Sequence, residues 1–432
     1  MKINKKNENE ELTKVTPKFL CMVGIVLLCM LLGMYNSVLS YCALLLSILM
    51  VFICSEEEYL AFLMFIMPFA SIFKSNPDSQ SFFTYLILFY VIYCLTFKNK
   101  LKTSFVLLFA TLLAYLFIQM LISINILRSI KFVVNLILVY YALRLNSGTN
   151  RKNVMLFYIL GVIMSSSIAA LNIFPVWTNY IKENILSGQV DVHRFSGLYA
   201  DPNYYSINVI ISLCLVVILN HKKLLSNISS IFCSVVLLIF AIMTVSKSAF
   251  LMLVFPATLF LYAKIKQQKY FVSLCLLILS VFVVMSILDG RFDFLKTILS
   301  RFNSNGDLNS LTTGRFEIWK SYLNYFEESG LSVFWGNGFG ADLLNSKVAH
   351  NTYIDLIYYL GIFGTAVVLA VVVCIISIKD GNQKNLLNYS ILMCVLVMYF
   401  FLSELFYFDW PFHLILVGIV LKSDLKKDVL QK

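Results

Sequence analysis

Several polar segments interrupt the apolar runs of this chain, and they contain residue types that can carry out chemistry on an anionic substrate. The longest segment ends at His350, and histidine is the usual proton acceptor for a hydroxyl nucleophile near neutral pH. The same segment contains Arg315, and an earlier segment contains Arg194. Because a guanidinium group binds phosphate oxygens through paired hydrogen bonds, both arginines are candidate ligands for a phosphate-bearing substrate.

Residues near the arginines extend this candidate site. Asp201, Pro202 and Asn203 predict the start of a helix, because aspartate caps helices and proline is tolerated in the first turn. The unpaired amides of that turn would bind the same anion as Arg194. Lys247, in a tight turn between two predicted helices, supplies a further cation. Each residue also has a structural interpretation, as a helix start for Asp201 and Asn203 and as an interface contact with lipid for Arg194 and Lys247.

His350 immediately precedes a predicted membrane helix, which would place its imidazole at the rim of the membrane. Asn351 can either cap that helix or hold the imidazole. Asp355 lies one turn further along, where its carboxylate can orient the histidine. A lone histidine at a helix start is often structural, but these polar neighbours favour a catalytic interpretation.

The segment between Arg315 and His350 contains an amphipathic stretch and a glycine-rich stretch. Apolar residues at helical spacing predict a helix on the membrane interface or on the helical bundle: Phe316, Trp319, Tyr322, Leu323 and Phe326. Glu317 is either part of the site or a first-turn acid favoured by the helix dipole. Trp319 is either a sugar-stacking platform or an interface or core aromatic. The glycines of residues 336–340 follow no predicted strand, so they indicate a flexible loop for close backbone approach and not a dinucleotide-binding motif.

The elements that must position these residues are membrane helices. The chain is 60% hydrophobic and 13% charged over 432 residues, with a mean hydropathy of +0.83, whereas about a quarter of the residues in a soluble domain are charged. We predict an all-α, polytopic integral membrane helical bundle, a single membrane domain over residues 1–432 with about 11–14 transmembrane helices, because a span needs about 20 apolar residues and helices satisfy their own amides in lipid. The predicted spans are 19–34, 37–54, 59–73, 81–97, 104–124, 126–143, 154–174, 203–220, 229–245, 248–263, 270–288, 352–377, 386–402 and 409–421.

The distribution of basic residues predicts the orientation of the bundle. With the N-terminus in the cytoplasm, most of the 34 Lys and Arg residues fall in short cytoplasmic links, as the positive-inside rule requires. The polar segments then lie together on the opposite face, in an external loop over residues 175–202 and a large external loop over residues 289–350. The net charge of +11 therefore reflects topology and contact with anionic headgroups, and no basic stretch interleaved with aromatic residues indicates nucleic-acid binding.

Taken in order, the polar segments resemble the O-antigen polymerase and O-antigen ligase superfamily of bacterial envelope glycan assembly. The matching blocks are Arg194-Phe195-Ser196-Gly197 with Asp201-Pro202-Asn203, Ser246-Lys247-Ser248, Gly314-Arg315 with Trp319, Gly336-Asn337-Gly338-Phe339-Gly340, and His350-Asn351-Thr352-Tyr353. The family pattern often has Ser-Arg where this chain has Ser246-Lys247, so the charge is kept without the bidentate geometry of a guanidinium.

The resemblance implies a membrane polysaccharide polymerase that transfers a growing glycan from undecaprenyl pyrophosphate to a sugar hydroxyl of another lipid-linked repeat unit. The site would face the exterior or periplasm from the bacterial cytoplasmic membrane. His350 would deprotonate the acceptor hydroxyl, while Arg194, Lys247 and Arg315 would stabilise the leaving pyrophosphate. The substrate-binding candidates are Lys247, Asn203, Asp201, Asn351, Glu317 and Trp319.

The same resemblance implies an inverting glycosyltransferase that needs no metal and no cofactor, because the lipid pyrophosphate carries its own activation. Its partners would be the lipid-linked oligosaccharide repeat unit, membrane lipid and, in hosts that use one, a chain-length regulator. Two alternatives stay open. An O-antigen ligase would use the same donor with a lipid A core or other acceptor, and a flippase would move lipid-linked sugars without bond chemistry.

Overall fold

The computed structural model describes residues 15–76, 79–98, 103–122, 125–145, 151–172, 194–266, 312, 314–341, 344, 347–376, 386–403 and 409–422, and the regular elements in these ranges are all helical. In chain order the helices are α1 (Pro17–Leu32), α2 (Ser37–Ile53), α3 (Glu56–Ile66), α4 (Phe82–Phe97), α5 (Thr103–Ile122), α6 (Ile126–Leu145), α7 (Arg151–Leu171), α8 (Pro202–His221), α9 (Asn227–Met243), α10 (Lys247–Met252), α11 (Val254–Lys266), α12 (Arg315–Glu328), α13 (Ser332–Trp335), α14 (Thr352–Ile376), α15 (Leu386–Phe401) and α16 (Trp410–Lys422).

These helices are those of a multi-pass membrane protein. Within the described ranges, five helical stretches are long and apolar enough to cross a membrane: Ile126–Arg144, Arg151–Leu171, Pro202–His221, Lys247–Lys266 and Thr352–Ile376. Shorter apolar helices of 10–17 residues accompany them. Large apolar side chains of α1, α2 and α9 are exposed, including Leu28, Leu45 and Ile231, because these surfaces face lipid tails that are as apolar as leucine. The predicted class, an all-α polytopic membrane protein, is confirmed.

The predicted spans coincide closely with described helices. The span predicted over 270–288 lies outside the described residues, as do residues 175–193 of the first predicted external loop and residues 289–311 of the second. The remaining predicted spans each overlap a helix, and their ends differ by only a few residues. Hydrophobic run length therefore located the membrane helices well, as expected where the surrounding lipid sets the length of a span.

Three predicted spans are interrupted, two of them next to a proline and one at a glycine. The chain leaves α3 through a 3-10 turn over Met67–Phe69, because Pro68 has no N–H to continue the α-helical bonds. The tenth predicted span is divided into α10 and α11 at Leu253. Pro256 explains that division, since it cannot donate to the carbonyl four residues earlier and its ring collides with that carbonyl.

Helix α8 is the centre of the bundle. Every side chain from Tyr204 to Leu219 is buried, and apolar residues face outward in all directions around the helix. The helix packs against α7, α9, α11 and α15. A helix that is apolar all round is typical of a core position. Its first turn contains Asp201 and Asn203, so the core of the bundle also holds part of the candidate site.

Helix α14 is broken at Gly361, where φ is 66°, in the left-handed region. The glycine-rich segment binds the carbonyl groups that this break releases. The amides of Asn337 and Gly338 donate to the carbonyls of Tyr358 and Tyr359, at 2.9 and 2.8 Å. These bonds satisfy backbone groups that would otherwise be unpaired inside a membrane helix.

The glycine at the break permits close contact between two backbones. A Cβ atom on Gly336 or on Gly361 would collide with the backbone of the other segment. The hydroxyl of Tyr115, in α5, donates to the carbonyl of Trp335 at 2.5 Å and also to the carbonyl of Leu360. The close backbone approach expected of the glycines therefore occurs, but its partner is a broken helix and not a substrate.

Candidate functional site

One half of the candidate site is the Arg194 group, which we define as Arg194, Asn203, Ser246 and Lys247. The guanidinium of Arg194 donates from Nε to the carbonyl of Thr244 at 3.2 Å and from Nη2 to Oδ1 of Asn203 at 3.1 Å. The hydroxyl of Ser246 donates to the same Oδ1 at 2.6 Å and caps α10. Lys247 is the first residue of α10, so the structure brings all four residues to one place.

Asp201 links this group to the second half of the site. Its carboxylate accepts a hydrogen bond from the amide of Asn203 at 2.6 Å and caps α8, with Pro202 in the first turn. The charge of Asp201 also acts on Arg315 and on His350. One turn of helix therefore faces two cationic groups, with Asn203 toward Arg194 and Asp201 toward Arg315.

The second half is the Arg315 group, defined as Arg315, His350 and Asp201. Arg315 is the first residue of α12, and its Nη1 donates to the carbonyl of Phe401 at the end of α15, at 2.6 Å. The carbonyl end of a helix carries partial negative charge, so it suits a cation. Burial lowers the pKa of Arg315, and the negative charge of Asp201 opposes that effect. A guanidinium has five N–H donors, so this bond leaves capacity for an anionic ligand.

Three successive backbone carbonyls at the end of α15 accept hydrogen bonds from side chains of three other helices of the site. Their donors come from α12, α14 and α8: Arg315 to Phe401 at 2.6 Å, Thr352 to Leu402 at 2.5 Å, and Tyr204 to Ser403 at 3.1 Å. The last carbonyls of a helix have no partner within the helix, so other groups must satisfy them. The end of α15 therefore fixes the starts of three helices relative to one another.

His350 precedes α14 in a strained conformation. Its φ of 52° lies in the left-handed region, which is costly for a residue with a Cβ atom and is typical of functional sites. Burial, and then the positive charge of Arg315, lower the pKa of His350 below 6.5, while Asp201 opposes them. A lowered pKa keeps the imidazole neutral near pH 7, and the neutral form is the one that accepts a proton.

Helix α12 holds the chain immediately before His350. The indole N–H of Trp319 donates to the carbonyl of Ala349 at 2.8 Å, and the hydroxyl of Tyr322 donates to the carbonyl of Lys347 at 2.9 Å. Trp319, which we predicted as a substrate-binding residue, is thus engaged with the backbone next to the histidine. This contact makes it a residue that positions the imidazole.

The remaining predicted ligands lie at helix starts. Oδ1 of Asn351 accepts from the amides of Tyr353 and Ile354, at 3.0 and 3.2 Å, so this residue caps α14 and does not hold the imidazole. Glu317 is exposed in the first turn of α12. Both positions agree with the structural interpretations that the sequence also allowed.

The carboxylate that acts on His350 comes from a different helix than the one predicted. Asp355 is buried one turn into α14, where its electrostatic neighbours are Tyr322 and Tyr359. Asp201, more than a hundred residues earlier in the chain, supplies the negative charge near the imidazole. Sequence proximity therefore suggested the wrong acid, because the fold brings the start of α8 to the start of α14.

Sequence analysis gave no role to Tyr204, Thr352 or the carbonyls of residues 401–403. Both side chains lie next to predicted site residues, and that adjacency was the available signal. Their partners are backbone carbonyls, which have no signature in a sequence. His193, which precedes Arg194, lies outside the described residues.

The described arrangement can remove a proton and stabilise an anion. It contains an imidazole that favours its neutral form, two arginines in polar surroundings, and the capped start of a buried helix. Among the described residues, no three His, Cys, Asp or Glu side chains lie close enough together to hold a metal ion. An imidazole can supply base catalysis, and guanidinium groups can supply electrostatic stabilisation.

Comparison with known families places these residues in context. Residues 232–369 match the family described as O-antigen ligase, and the match includes Lys247, Arg315 and His350. The match covers about a third of the chain, which is therefore similar to O-antigen ligases over this region. The resemblance inferred from the ordered sequence blocks is thereby confirmed. Arg194 and Asp201 precede the matched region. Arg194 donates to the carbonyl of Thr244 within it, and the charge of Asp201 acts on Arg315 within it.

A curated relative is similar to about half of the chain. The chain is 23% identical over 240 residues to a protein of Acinetobacter baylyi named ComP-specific O-oligosaccharyltransferase. The aligned region covers 52% of this chain and 43% of that protein, so the chain spans under half of the relative's length. No solved structure matches this chain.

Proposed function

We propose that this protein transfers a glycan from undecaprenyl pyrophosphate, or a similar polyprenyl carrier, to a sugar hydroxyl. The proposal depends on one observation: hydrogen bonds to three successive carbonyls at the end of α15 bring Arg315, the start of α14 next to His350 and the start of α8 together. The charges of Arg315 and Asp201 both act on the imidazole of His350. This places a neutral base next to a cation, as required for a hydroxyl that attacks a carbon bearing a pyrophosphate. The name of the A. baylyi relative, an oligosaccharyltransferase, supports the same reaction class.

In the proposed reaction, His350 accepts the proton of the acceptor hydroxyl, whose oxygen forms a bond to the anomeric carbon of the donor glycan. The bond from that carbon to the pyrophosphate oxygen breaks, and the pyrophosphate leaves with the electron pair. Arg315, Arg194 and Lys247 stabilise the charge on the leaving group. Attack from the side opposite the leaving group inverts the anomeric configuration, and the imidazolium then returns its proton to water.

We place the site on the outer face of the bacterial cytoplasmic membrane. Its residues lie at one end of the bundle, at the starts of α8 and α14 and the ends of α9 and α15. The lysine-rich links predicted for the cytoplasm belong to the opposite ends of the helices. The positive-inside rule therefore supports an exterior site.

The preferred acceptor is a second lipid-linked repeat unit, which would make the protein a polysaccharide polymerase. No feature of the sequence indicates a lipid A partner. Ligase-type transfer to a different acceptor is the second candidate, and the names of the matched family and of the A. baylyi relative favour it. A chain-length regulator would be a partner of the polymerase only.

Reconstitution tests the reaction class. The purified protein is placed in liposomes that contain undecaprenyl pyrophosphate linked to a defined repeat unit, and the glycan products are separated by length. Lengthening of the glycan is the expected result. Movement of the substrate between leaflets without a new glycosidic bond would identify a flippase and overturn the proposal.

The glycan of a deletion strain distinguishes the two transferase candidates. Loss of a polymerase leaves single repeat units on their final anchor, whereas loss of a ligase leaves long polymer on the lipid carrier. We expect single repeat units. Accumulation of carrier-linked polymer would instead assign the ligase reaction.

A further inference from the structure

A buried polar cluster lies within the bundle, deeper along α8 than the candidate site. Its centre is Asn208, with a relative exposure of 0%, and its other members include Asp409 at 1% and His413 at 0%. Polar side chains are costly in the interior of a membrane protein, where no water is available to bind them. Neither the fold nor the proposed reaction accounts for this cluster.

The amide of Asn208 uses its full hydrogen-bonding capacity. Its Nδ2 donates to Oδ2 of Asp409 at 3.0 Å and to the carbonyl of Tyr204 at 3.2 Å. Its Oδ1 accepts from the hydroxyl of Tyr158 at 2.7 Å and lies 3.2 Å from Nε2 of His413. An asparagine side chain has two donor hydrogens and two acceptor lone pairs, so all four are occupied. With Oδ1 as the acceptor, His413 is the tautomer with its proton on Nε2.

The hydrogen bonds of Asn208 join three helices. Tyr158 is on α7, Asn208 on α8, and His413 on α16, with Asp409 directly before α16. Two tyrosines of α8 also bond to neighbouring elements, Tyr204 to the carbonyl of Ser403 and Tyr205 to the hydroxyl of Ser166. Ser206 bonds to the carbonyl of Asn203 within its own helix, and the hydroxyl of Ser212 has no partner among the described residues. Asn208 is therefore the side chain of the buried part of α8 that ties this helix to its neighbours by several polar bonds.

A helix that is apolar on every side has no face that specifies its rotation. Because α8 is buried all round by apolar contacts, sliding or turning the helix would exchange one apolar surface for another at little cost. A single polar side chain with directional partners removes that ambiguity, as buried asparagines do in coiled coils. The rotation of α8 matters for the site, because Asp201 and Asn203 lie only one to two turns before Asn208.

We infer that Asn208 is a positioning residue, whose bonds to Tyr158, Asp409 and His413 fix the rotation of α8 and thereby place Asp201 and Asn203 in the site. The inference rests on the proposed function for its role in catalysis, but the structural link between Asn208 and the site is independent of it. A displacement of about 1 Å at a reacting centre is enough to lower a rate by about 100-fold.

The decisive variant is Asn208→Leu, compared with Ser212→Ala as the matched control. Both positions are on α8 with a relative exposure of 0%, and both changes replace a polar group by an apolar one. Purified variants are tested for glycan transfer and, separately, for binding of undecaprenyl pyrophosphate in nanodiscs. We expect Asn208→Leu to lower transfer by about tenfold to 100-fold and to weaken binding, and Ser212→Ala to leave both unchanged.

A second pair of variants keeps the inference testable if Asn208→Leu does not fold. Asp409→Asn can turn its amide oxygen toward Asn208 and keep the hydrogen bond, whereas Asp409→Leu loses it. We expect the asparagine variant to retain transfer and binding, and the leucine variant to lose most of both. Equal losses in the two variants would overturn the role given to this bond.

A double-mutant comparison separates positioning from general stabilisation. If Asn208 acts through Asn203 and Asp201, the loss in the combined Asn203→Ala and Asn208→Leu variant should be smaller than the sum of the two single losses. Additive losses would refute positioning. If the wild-type protein binds the carrier but transfers no glycan, the proposed function fails, while the binding pattern still decides the role of Asn208. If transfer is normal in Asn208→Leu, the role of Asn208 fails and the proposed function stands.

Discussion

The two halves of the site both contain an arginine, yet their surroundings differ. In the Arg194 group, the guanidinium donates to the backbone carbonyl of Thr244 and to the side-chain oxygen Oδ1 of Asn203. In the Arg315 group, the guanidinium is held by the end of a helix and lies within electrostatic range of a carboxylate and an imidazole. The first is an anchored cation, and the second is a cation coupled to titratable groups.

This difference suggests that the two groups have different roles in the proposed reaction, one in binding the donor and one in the bond change. Asp201 and Asn203 lie in the same turn at the start of α8, with Asn203 next to Arg194 and Asp201 acting on Arg315. A pyrophosphate bound at this turn would therefore contact both the Arg194 group and the Arg315 group. We expect the Arg194 group to bind the donor and the Arg315 group to act on the reacting bond, because His350 belongs to the second group. Each prediction below tests that assignment.

The largest effect is expected from removing the base. His350 has φ of 52°, and asparagine tolerates this conformation better than alanine, so His350→Asn removes the imidazole with little added strain. We expect the rate of glycan transfer to fall by about 100-fold to 10,000-fold, the range for general bases. The measurement is transfer by purified protein in liposomes.

Protein yield and carrier binding provide the control for that variant. Both should match the wild type, because the imidazole contributes to proton transfer and not to donor affinity. Transfer at the wild-type rate would remove His350 from the mechanism and leave the Arg315 group without a base.

The next largest effect should separate the two arginines. Arg315→Ala should lower kcat by about 100-fold or more, as loss of a charge-stabilising donor does, with a small change in KM. Arg194→Ala should mainly raise KM for the lipid donor, by about tenfold to 150-fold, because one charge-assisted contact contributes about 1.5–3 kcal/mol. Steady-state kinetics with a pyrophosphate-linked donor measure both.

Lysine variants serve as controls for charge. Arg315→Lys and Arg194→Lys keep the cation but lose the planar donor geometry, so each should be less impaired than its alanine variant. If both alanine variants change only KM, the proposed division between binding and reaction is wrong.

The pH dependence should respond to one arginine and not to the other. His350 must be neutral to act, so kcat/KM should decline as the pH falls through its pKa, which lies below 6.5. The charge of Arg315 lowers that pKa, so Arg315→Ala should move the acid limb of the profile to higher pH. Arg194→Ala should leave the limb in place.

Arg315→Lys provides the matched test, since it keeps the charge and should leave the acid limb near its wild-type position. Profiles of kcat/KM between about pH 4.5 and 8 cover the relevant range for a histidine. An acid limb that is identical in all the variants would argue against electrostatic coupling between Arg315 and His350.

The smallest effect is expected from Trp319→Phe, which keeps an aromatic ring against Phe400 but removes the N–H that binds the carbonyl of Ala349. One hydrogen bond contributes about 1 kcal/mol, so transfer should fall by about fivefold. Tyr322→Phe should have a similar effect through the carbonyl of Lys347. Donor KM should be unchanged in both, and a large rise in KM for Trp319→Phe would point to sugar stacking instead.

Prediction from the sequence succeeded where a local pattern determines the outcome. Hydrophobic run length gave the membrane helices, and the cap signal of Asp201 and Pro202 gave the start of α8. The interruption next to Pro256 was not predicted, since the span 248–263 was expected to be continuous. Residue types identified Arg194, Arg315 and His350 as candidates, since few other residues can bind phosphate or accept a proton near pH 7.

Prediction failed where the partner of a side chain is distant in sequence or is a backbone group. Asp355 was assigned to His350 because it is one turn away, whereas the charge that acts on the imidazole comes from Asp201. The contacts of Trp319 and Thr352 are with carbonyls, and a sequence does not reveal which carbonyls lack a helical partner in three dimensions.

By itself, then, the sequence determined the class of the protein, the ends of its helices and the cations and imidazole available for chemistry, because these depend on composition and local backbone preference. Only the tertiary structure decided that the charge of Asp201 acts on Arg315 and His350. It also decided that the end of α15 accepts hydrogen bonds from the starts of three helices, and that Asn208 binds partners on α7 and near the start of α16. The physical reason is that apolar helices in lipid can pack in many ways, and the few directional polar bonds between them select one arrangement.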